Sequence, residues 1–271
     1  MKTAENPYSP ARIVKDTADC FFYHTMDLPV LGVVKGDWDL RGNVDTYIGN
    51  VDLKGKRVLE FGTANGFLCF EMEKRGAEVV ALDLSANDDF DLIPYGGSMP
   101  KGDKKHRVEH NNQLNNAWWL AHRLFKSKAQ VVYGPVYNVP VEDIGPVQVS
   151  TFGSILLHLR DPFLVLQKAA SITTESIIVT DMVPGTFKEQ FLSMVPALAG
   201  YRSLFGRRYK PMVYFLPDPV TQMPRDAWWW LTPDTVCRFL KVLGFPNVTV
   251  TYHRQKHKGI APRLYTVVGR K

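Results

Sequence analysis

From residue 56 onward the chain alternates two kinds of apolar run. Short runs rich in Val, Ile and Leu stand at 57–61, 78–83, 130–133, 147–153 and 176–181; they are too brief for helices and read as buried strands. Segments with helical spacing lie between them. The first, about 66–75, places Phe67, Leu68 and Phe70 on its apolar side and stops at Gly76. A second, about 112–126, carries Trp118, Trp119, Leu120 and Leu124. Asp161-Pro162 opens a third, with an acid at the cap and proline at the first helical position, and it ends near Ser171. Thr232-Pro233 opens a fourth, which stops at Gly244. Two last strands, Asn247 to His253 and Arg263 to Gly269, flank a short Lys/Gly/Pro loop. The alternation predicts an α/β, Rossmann-like sheet with helices on both faces. Residues 56–271 form that domain, with a lid insertion at about 183–231, an aromatic and proline-rich stretch that breaks the alternation. Residues 1–55 show little period and read as a helical cap over one sheet edge.

The chemistry concentrates where the first strand ends. Val58-Leu59-Glu60-Phe61-Gly62-Thr63-Ala64-Asn65-Gly66 runs from strand through a glycine-bearing loop into a helix. Glu78 to Leu84 is a second strand that ends in an acid, Asp83. This layout holds an adenosine-containing cofactor at the carboxyl edge of a parallel sheet, with Gly62 and Gly66 leaving no side chain between backbone and ligand and Asp83 and Leu84 meeting the ribose. A dinucleotide needs G-x-G-x-x-G, so that its pyrophosphate reaches the N–H groups at the helix start. This loop departs from that pattern, and Glu60 would repel a diphosphate. A carboxylate there suits a cation.

Composition narrows the class. With 271 residues, 45% hydrophobic and 22% charged, the chain has the material for one full-sized core. No apolar run approaches the ~20 residues of a membrane span, and the polar first residues, Met1 to Pro7, carry no signal-peptide core. Cys20, Cys69 and Cys237 are widely spaced, which argues for a reducing, cytoplasmic setting and against a disulfide or metal framework. The net charge of +6 permits an acidic partner or RNA without demanding one. Its densest basic runs are Lys101 to Arg107 and Arg207 to Lys210.

The acid and glycine loop, with Ala64 in place of a central glycine, resembles the first motif of the class I S-adenosylmethionine-dependent methyltransferases. That resemblance implies seven strands with the last antiparallel, and S-adenosylmethionine as cofactor, bringing an ammonium and a sulfonium but no phosphate. It implies cofactor contacts from Glu60, Gly62, Thr63, Ala64, Asn65 and Gly66. It places Val136 and Tyr137 near the adenine, and Gly153 and Ser154 beside the methionine part. His158, in Leu156-Leu157-His158-Leu159-Arg160-Asp161-Pro162, is the candidate base or a packed residue. Phe22 to Pro29 and Gly36 to Arg41 are similar to the group that includes the tRNA wobble-uridine carboxymethyltransferases. That group has a tyrosine where this chain has Leu157 and a lysine near Asp37 or Asp39; both departures favour the ordinary cofactor and argue against the tRNA reaction.

Trp38 is read either as core or as an aromatic face for the sulfonium, and Arg41 as a surface ion pair or a bidentate partner for the methionine carboxylate. Tyr23, His24, Tyr214 and Trp230 are candidate substrate residues, and Asp88, Asp89 and Tyr95 could line the same chamber. Three adjacent tryptophans, 228–230, cannot all face one core. The expected activity is methyl transfer to a small-molecule acceptor, on oxygen or nitrogen before carbon. A tRNA-modifying transferase and a non-catalytic cofactor-binding subunit are the alternatives.

Overall fold

The computed structural model describes residues 6–96, 103–184 and 210–271. The carboxyl-terminal part of the Lys101–Arg107 run is thus described; of the 207–210 run, only Lys210 is. Much of the expected lid lies outside the described residues.

The segment expected to be a helical cap is largely extended. It holds β1 (Met26–Leu28), β2 (Gly32–Val34) and β3 (Trp38–Asp39), a 3-10 turn at Thr17–Asp19, and one helical turn, α1 (Val44–Tyr47). β1 and β2 form a hairpin. β3 pairs with a two-residue strand more than 200 positions away, as shown by Lys256↔Asp39 and His257↔Trp38. Strands this short are set by their partners, so no local period announces them.

The main sheet has seven strands: β4 (Arg57–Phe61), β5 (Glu78–Asp83), β6 (Gln130–Tyr133), β7 (Val147–Gly153), β8 (Thr173–Met182), β11 (Asn247–Arg254) and β13 (Arg263–Arg270). Their order is β11-β13-β8-β7-β4-β5-β6. β4 to β8 are mutually parallel, while β13 lies antiparallel between β8 and β11. The final strand is therefore the antiparallel one. β9 (Val213–Phe215) and β10 (Trp229–Leu231) form a separate hairpin, and β12 (Lys256–His257) is the partner of β3.

Alternate strand residues divide between two cores, as period-2 side chains must. Val58, Val79, Ala81, Val149 and Ile178 join α2 (Phe67–Lys74), α3 (Asp103–Phe125) and the amino-terminal segment. Leu59, Phe61, Val80, Phe152 and Val179 join α4 (Val141–Ile144), α5 (Pro162–Ile172) and α6 (Pro233–Val242). Helices thus cover both faces. The amino-terminal segment contributes Met26, Trp38, Leu40 and Tyr47 to the first of these cores. α3 begins nine residues before the expected 112; its first nine residues carry a single apolar side chain, Val108, and so show no helical stripe. Asp161 caps α5 by accepting the Leu164 N–H at 2.9 Å.

The chain runs outward from β4 through β5 to β6, then returns to β7 and β8 on the other side. That reversal places a crevice at the carboxyl ends of β4 and β7, where open α/β sheets bind ligands.

Candidate functional site

The loop after β4 is fixed by left-handed backbone and by the neighbouring strand. Gly62, Ala64 and Gly66 have φ of 77°, 50° and 84°. The N–H groups of Gly62 and Thr63 both donate to the Leu82 carbonyl, at 2.8 and 3.2 Å. The two glycines do more than clear space for a ligand. A Cβ on Gly62 would lie 2.7 Å from Ile155 Cδ1, and one on Gly66 2.5 Å from Phe70 Cε2. Their missing side chains admit protein.

Three acids end three of the parallel strands. Glu60 is 2% exposed, and among the described residues its Oε2 and the Thr63 hydroxyl are both buried without a well-formed hydrogen bond. Burial pushes its carboxyl up to about 8, against the pull of the nearby Thr63 hydroxyl and with Asp83 adding to the rise. Asp83 is partly buried; its Oδ2 accepts the Ala64 N–H at 2.5 Å and its Oδ1 the Leu84 N–H at 2.8 Å. Burial raises it to about 6, against the pull of those two bonds. Asp181, second to last in β8, is 3% exposed and raised by burial to about 7, with its Oδ1 on the Met182 N–H. Among the described residues, no basic side chain offsets any of the three shifts. Unneutralised buried carboxylates are costly, and a cationic ligand relieves that cost.

The amino-terminal segment is stapled to the loop through Asn65, which is fully buried. Its Oδ1 accepts the His24 N–H at 2.9 Å and its Nδ2 donates to the His24 carbonyl at 3.0 Å. His24 Nδ1 lies 3.1 Å from the same Oδ1 and so carries the proton; burial lowers this imidazole to about 4 and keeps it neutral. Thus Asn65 and His24 spend their side chains on each other. Tyr23, half-buried, accepts the Trp38 indole N–H at 3.0 Å, and burial raises its phenol. Trp38 is buried and stacks on His257 at 4.3 Å. Arg41 does not offer a fork to a ligand carboxylate: its guanidinium is bidentate to Asp39, with both distances 2.9 Å, and bonds Asp27 at 2.7 Å.

Across the crevice, Gly153 sits against Tyr47, whose hydroxyl would lie 3.0 Å from a Cβ there. Ser154 follows with φ of 52°, a strained backbone for a non-glycine residue. His158 ends a 3-10 turn, and its Nδ1 lies 2.5 Å from the Asp226 carbonyl. That nitrogen carries a proton to donate there, and Nε2 is the acceptor in the neutral tautomer.

A junction the sequence did not reveal is Asp91. Its carboxylate takes the Tyr137 hydroxyl at 2.7 Å, the Arg160 N–H at 2.7 Å and the Arg160 guanidinium at 3.1 Å. Its carbonyl takes the Trp228 indole at 2.6 Å. Tyr137 is thereby committed to protein, and Val136 beside it is buried. Trp228 is buried and Trp229 bonds the Arg160 carbonyl at 3.1 Å, while Trp230 pairs across the β9–β10 hairpin with the exposed Tyr214. The three tryptophans do face different surroundings. Of the loop residues expected in the chamber, Asp88 accepts the Ser85 N–H, Asp89 pairs with Arg107 of α3, and Tyr95 bonds the Pro224 carbonyl, so all three are engaged with protein.

The chain's likeness to known proteins is one of structure. No protein-family model and no curated protein matches it by sequence. Among solved structures, it is similar to the 1,6-didemethyltoxoflavin N1-methyltransferase of Burkholderia thailandensis, solved with that substrate and S-adenosylhomocysteine. The TM-score is 0.51 at 11% identity, covering 86% of this chain and 77% of that one. It is similar to the magnesium protoporphyrin IX methyltransferase of Synechocystis, solved with S-adenosylhomocysteine, at a TM-score of 0.50 and 13% identity over 85% and 81% of the two chains. A S-adenosylmethionine-dependent methyltransferase of Methanosarcina mazei gives 0.50 and 12% over 84% and 96%. The fold is the Rossmann-like fold of these methyltransferases. No helix among the described residues is long and apolar enough to cross a membrane.

Proposed function

We propose that this protein is a S-adenosylmethionine-dependent methyltransferase acting on a small-molecule acceptor. The observation that carries this reading is the set of acids at the carboxyl ends of three parallel strands, Glu60 and Asp181 buried and Asp83 partly so, with no basic partner among the described residues. A dinucleotide would bring phosphate charge into that field; S-adenosylmethionine brings an ammonium and a sulfonium. Glu60 Oε2 and the Thr63 hydroxyl beside it, without a well-formed hydrogen bond among the described residues, fit a hydrogen-bonding cationic ligand. Glu60 would hold the ammonium, Asp83 the ribose diol, and the backbone of Gly62 to Gly66 the body of the cofactor.

When bound, the cofactor supplies an activated methyl group. The chain's own part is to align the acceptor, exclude water and hold protons. His158, with Nε2 available, is the base if the acceptor is a hydroxyl. Trp228 and Trp229, anchored on Asp91 and Arg160, would wall the acceptor chamber in this reading, and Tyr23, Tyr214 and Trp230 are its further candidates. The experiment is incubation with methyl-labelled cofactor and a metabolite panel, followed by mass spectrometry of labelled products.

A tRNA-modifying reading stands second, on the net charge of +6. Binding of tRNA that weakens steeply with salt would favour it. A non-catalytic cofactor-binding subunit would bind cofactor and transfer no label.

A further inference from the structure

We propose that Tyr47 is a positioning residue of the transfer site: it holds the Gly153–Ser154 turn, and through that turn the amino-acid end of the cofactor. This role rests on the methyltransferase reading above and adds to it a residue of the amino-terminal segment.

Strand alternation puts the parts on one face of the sheet. Val58, Val149 and Ile178 belong to the first core, together with Tyr47 and Leu68. Two residues further along each strand, Glu60, Thr151 and Thr180 share that face, and Gly153 follows Thr151 on it. The register Glu60↔Thr151 and Phe61↔Phe152 sets Gly153 one step on, beside Gly62. The turn that starts at Gly153 therefore flanks the end of β4, where Glu60 would hold the ammonium.

Tyr47 meets this turn with both its backbone and its ring. Its carbonyl ends α1, where helix carbonyls lack an intrahelical partner. Two hydroxyls take it, Thr180 at 2.7 Å and Thr266 at 3.1 Å. The Thr180 carbonyl in turn accepts the Ser154 N–H at 2.7 Å. On the ring side, the phenol oxygen occupies the room of a side chain at 153. A Cβ on Gly153 would lie 3.0 Å from that oxygen and 3.3 Å from Leu68 Cδ1. The circuit closes: Tyr47 to Thr180, Thr180 to Ser154, and the turn back to the Tyr47 ring. His253 backs it, with Nε2 3.0 Å from the Thr266 hydroxyl and its ring 5.7 Å from that of Tyr47.

The turn is strained as well as packed. Ser154 keeps φ of 52°, and such a backbone persists only where its surroundings over-determine it. Here the Thr180 carbonyl and the Tyr47 ring are those surroundings. Tyr47 is buried, and burial raises its phenol, with the Ser154 side chain pulling the other way, so the hydroxyl stays protonated. Without that hydroxyl the turn would relax into the vacated space and shift against the ligand end it flanks.

The test compares two molecules on the full chain by calorimetry. S-adenosylhomocysteine carries the amino-acid end; methylthioadenosine has the same adenosine and sulfur without it. Tyr47→Phe should weaken S-adenosylhomocysteine about fivefold or more, the equivalent of one hydrogen bond, and leave methylthioadenosine within about twofold. Gly153→Ala drives a methyl group against the phenol and should weaken S-adenosylhomocysteine similarly. Together the two changes should lose less than the product of their separate effects, since both act on one contact. Unchanged S-adenosylhomocysteine affinity in Tyr47→Phe overturns the proposal. So does an equal loss for methylthioadenosine, which a general loosening of the fold would give. If wild type takes no methylthioadenosine at millimolar concentration, the double variant decides, and losses that simply multiply overturn the role. Should Gly153→Ala not fold, the Tyr47→Phe comparison stands by itself. If wild type binds neither molecule, the methyltransferase reading falls, and the role of Tyr47 with it.

Discussion

Asn65 grips His24 with both ends of its amide, accepting from the backbone N–H and donating to the carbonyl, in a place with no solvent. A residue of the glycine loop thus determines where the amino-terminal segment lies. Asn65→Ala would strand two buried backbone groups and should lower stability by about 3 kcal/mol, at ~1–3 kcal/mol for each unsatisfied group. Urea denaturation measures it. A loss under about 1 kcal/mol would mean that water replaces the amide and that the staple is dispensable.

Two glycine and alanine exchanges should have opposite signs. Ala64 holds φ of 50°, which costs an L-residue roughly 1–2 kcal/mol, while glycine gives back about 0.5–1 kcal/mol through the flexible unfolded chain. Ala64→Gly should stabilise by ~0.5 kcal/mol on that difference. A Cβ on Gly36 would meet His24 C at 2.5 Å and Phe22 O at 2.7 Å, both backbone atoms. Gly36→Ala should cost about 2 kcal/mol, in the range for overpacking. Thermal melts of the two variants that moved together would contradict the geometry.

The pH profile follows from the carboxylates. Glu60, Asp181 and Asp83 are raised in the folded chain to about 8, 7 and 6, from ~4 when unfolded. Their contribution to stability is full below the unfolded values and is lost as pH rises through the folded ones. His24 and His253, lowered to about 4 by burial, act oppositely: their contribution is present above ~6.5 and fades as pH falls toward their folded values. The ligand-free protein should therefore lose melting temperature from pH 6 to 8, Glu60→Gln should flatten that loss, and S-adenosylmethionine should bind more tightly with rising pH. A ligand-free melting temperature that climbs over this window would contradict the buried, unpaired state of these acids.

Much of this was legible in the chain. The bounds of β4, β5, β6 and β7 coincide with apolar runs read directly from the sequence, because strands buried on both faces are near-continuously apolar. Glu60 and Asp83 stood out because a charge ending such a run is rare. Asp181 bears the same signature, and nothing in its spacing said which ligand it faces. The amino-terminal strands were hidden: Trp38–Asp39 takes its ladder partner from Lys256–His257, far along the chain, and β1 and β2 are three residues each. Asp91 was hidden for the same reason: Tyr137, Arg160 and Trp228 reach it from three separate segments.

His158→Ala separates the two acceptor chemistries on whichever acceptor the labelled panel yields. With a hydroxyl acceptor that needs His158 as base, turnover should fall by ~10²-fold or more; with an amine that needs none, by less than about tenfold. Cofactor affinity should be unchanged in either case. Full turnover on a hydroxyl acceptor in a stably folded variant would remove His158 from the mechanism.

The central claim is that the carboxyl edge of this sheet takes an ammonium-bearing sulfur nucleoside and refuses a diphosphate. Calorimetric titration of wild type and Asp83→Ala with S-adenosylhomocysteine and with NAD tests it most directly. The account predicts binding of S-adenosylhomocysteine, no measurable heat with NAD, and a loss of about 1.5–3 kcal/mol in the folded Asp83→Ala variant, the range for a hydrogen bond to a charged group. Tight NAD binding with no heat from S-adenosylhomocysteine would contradict it.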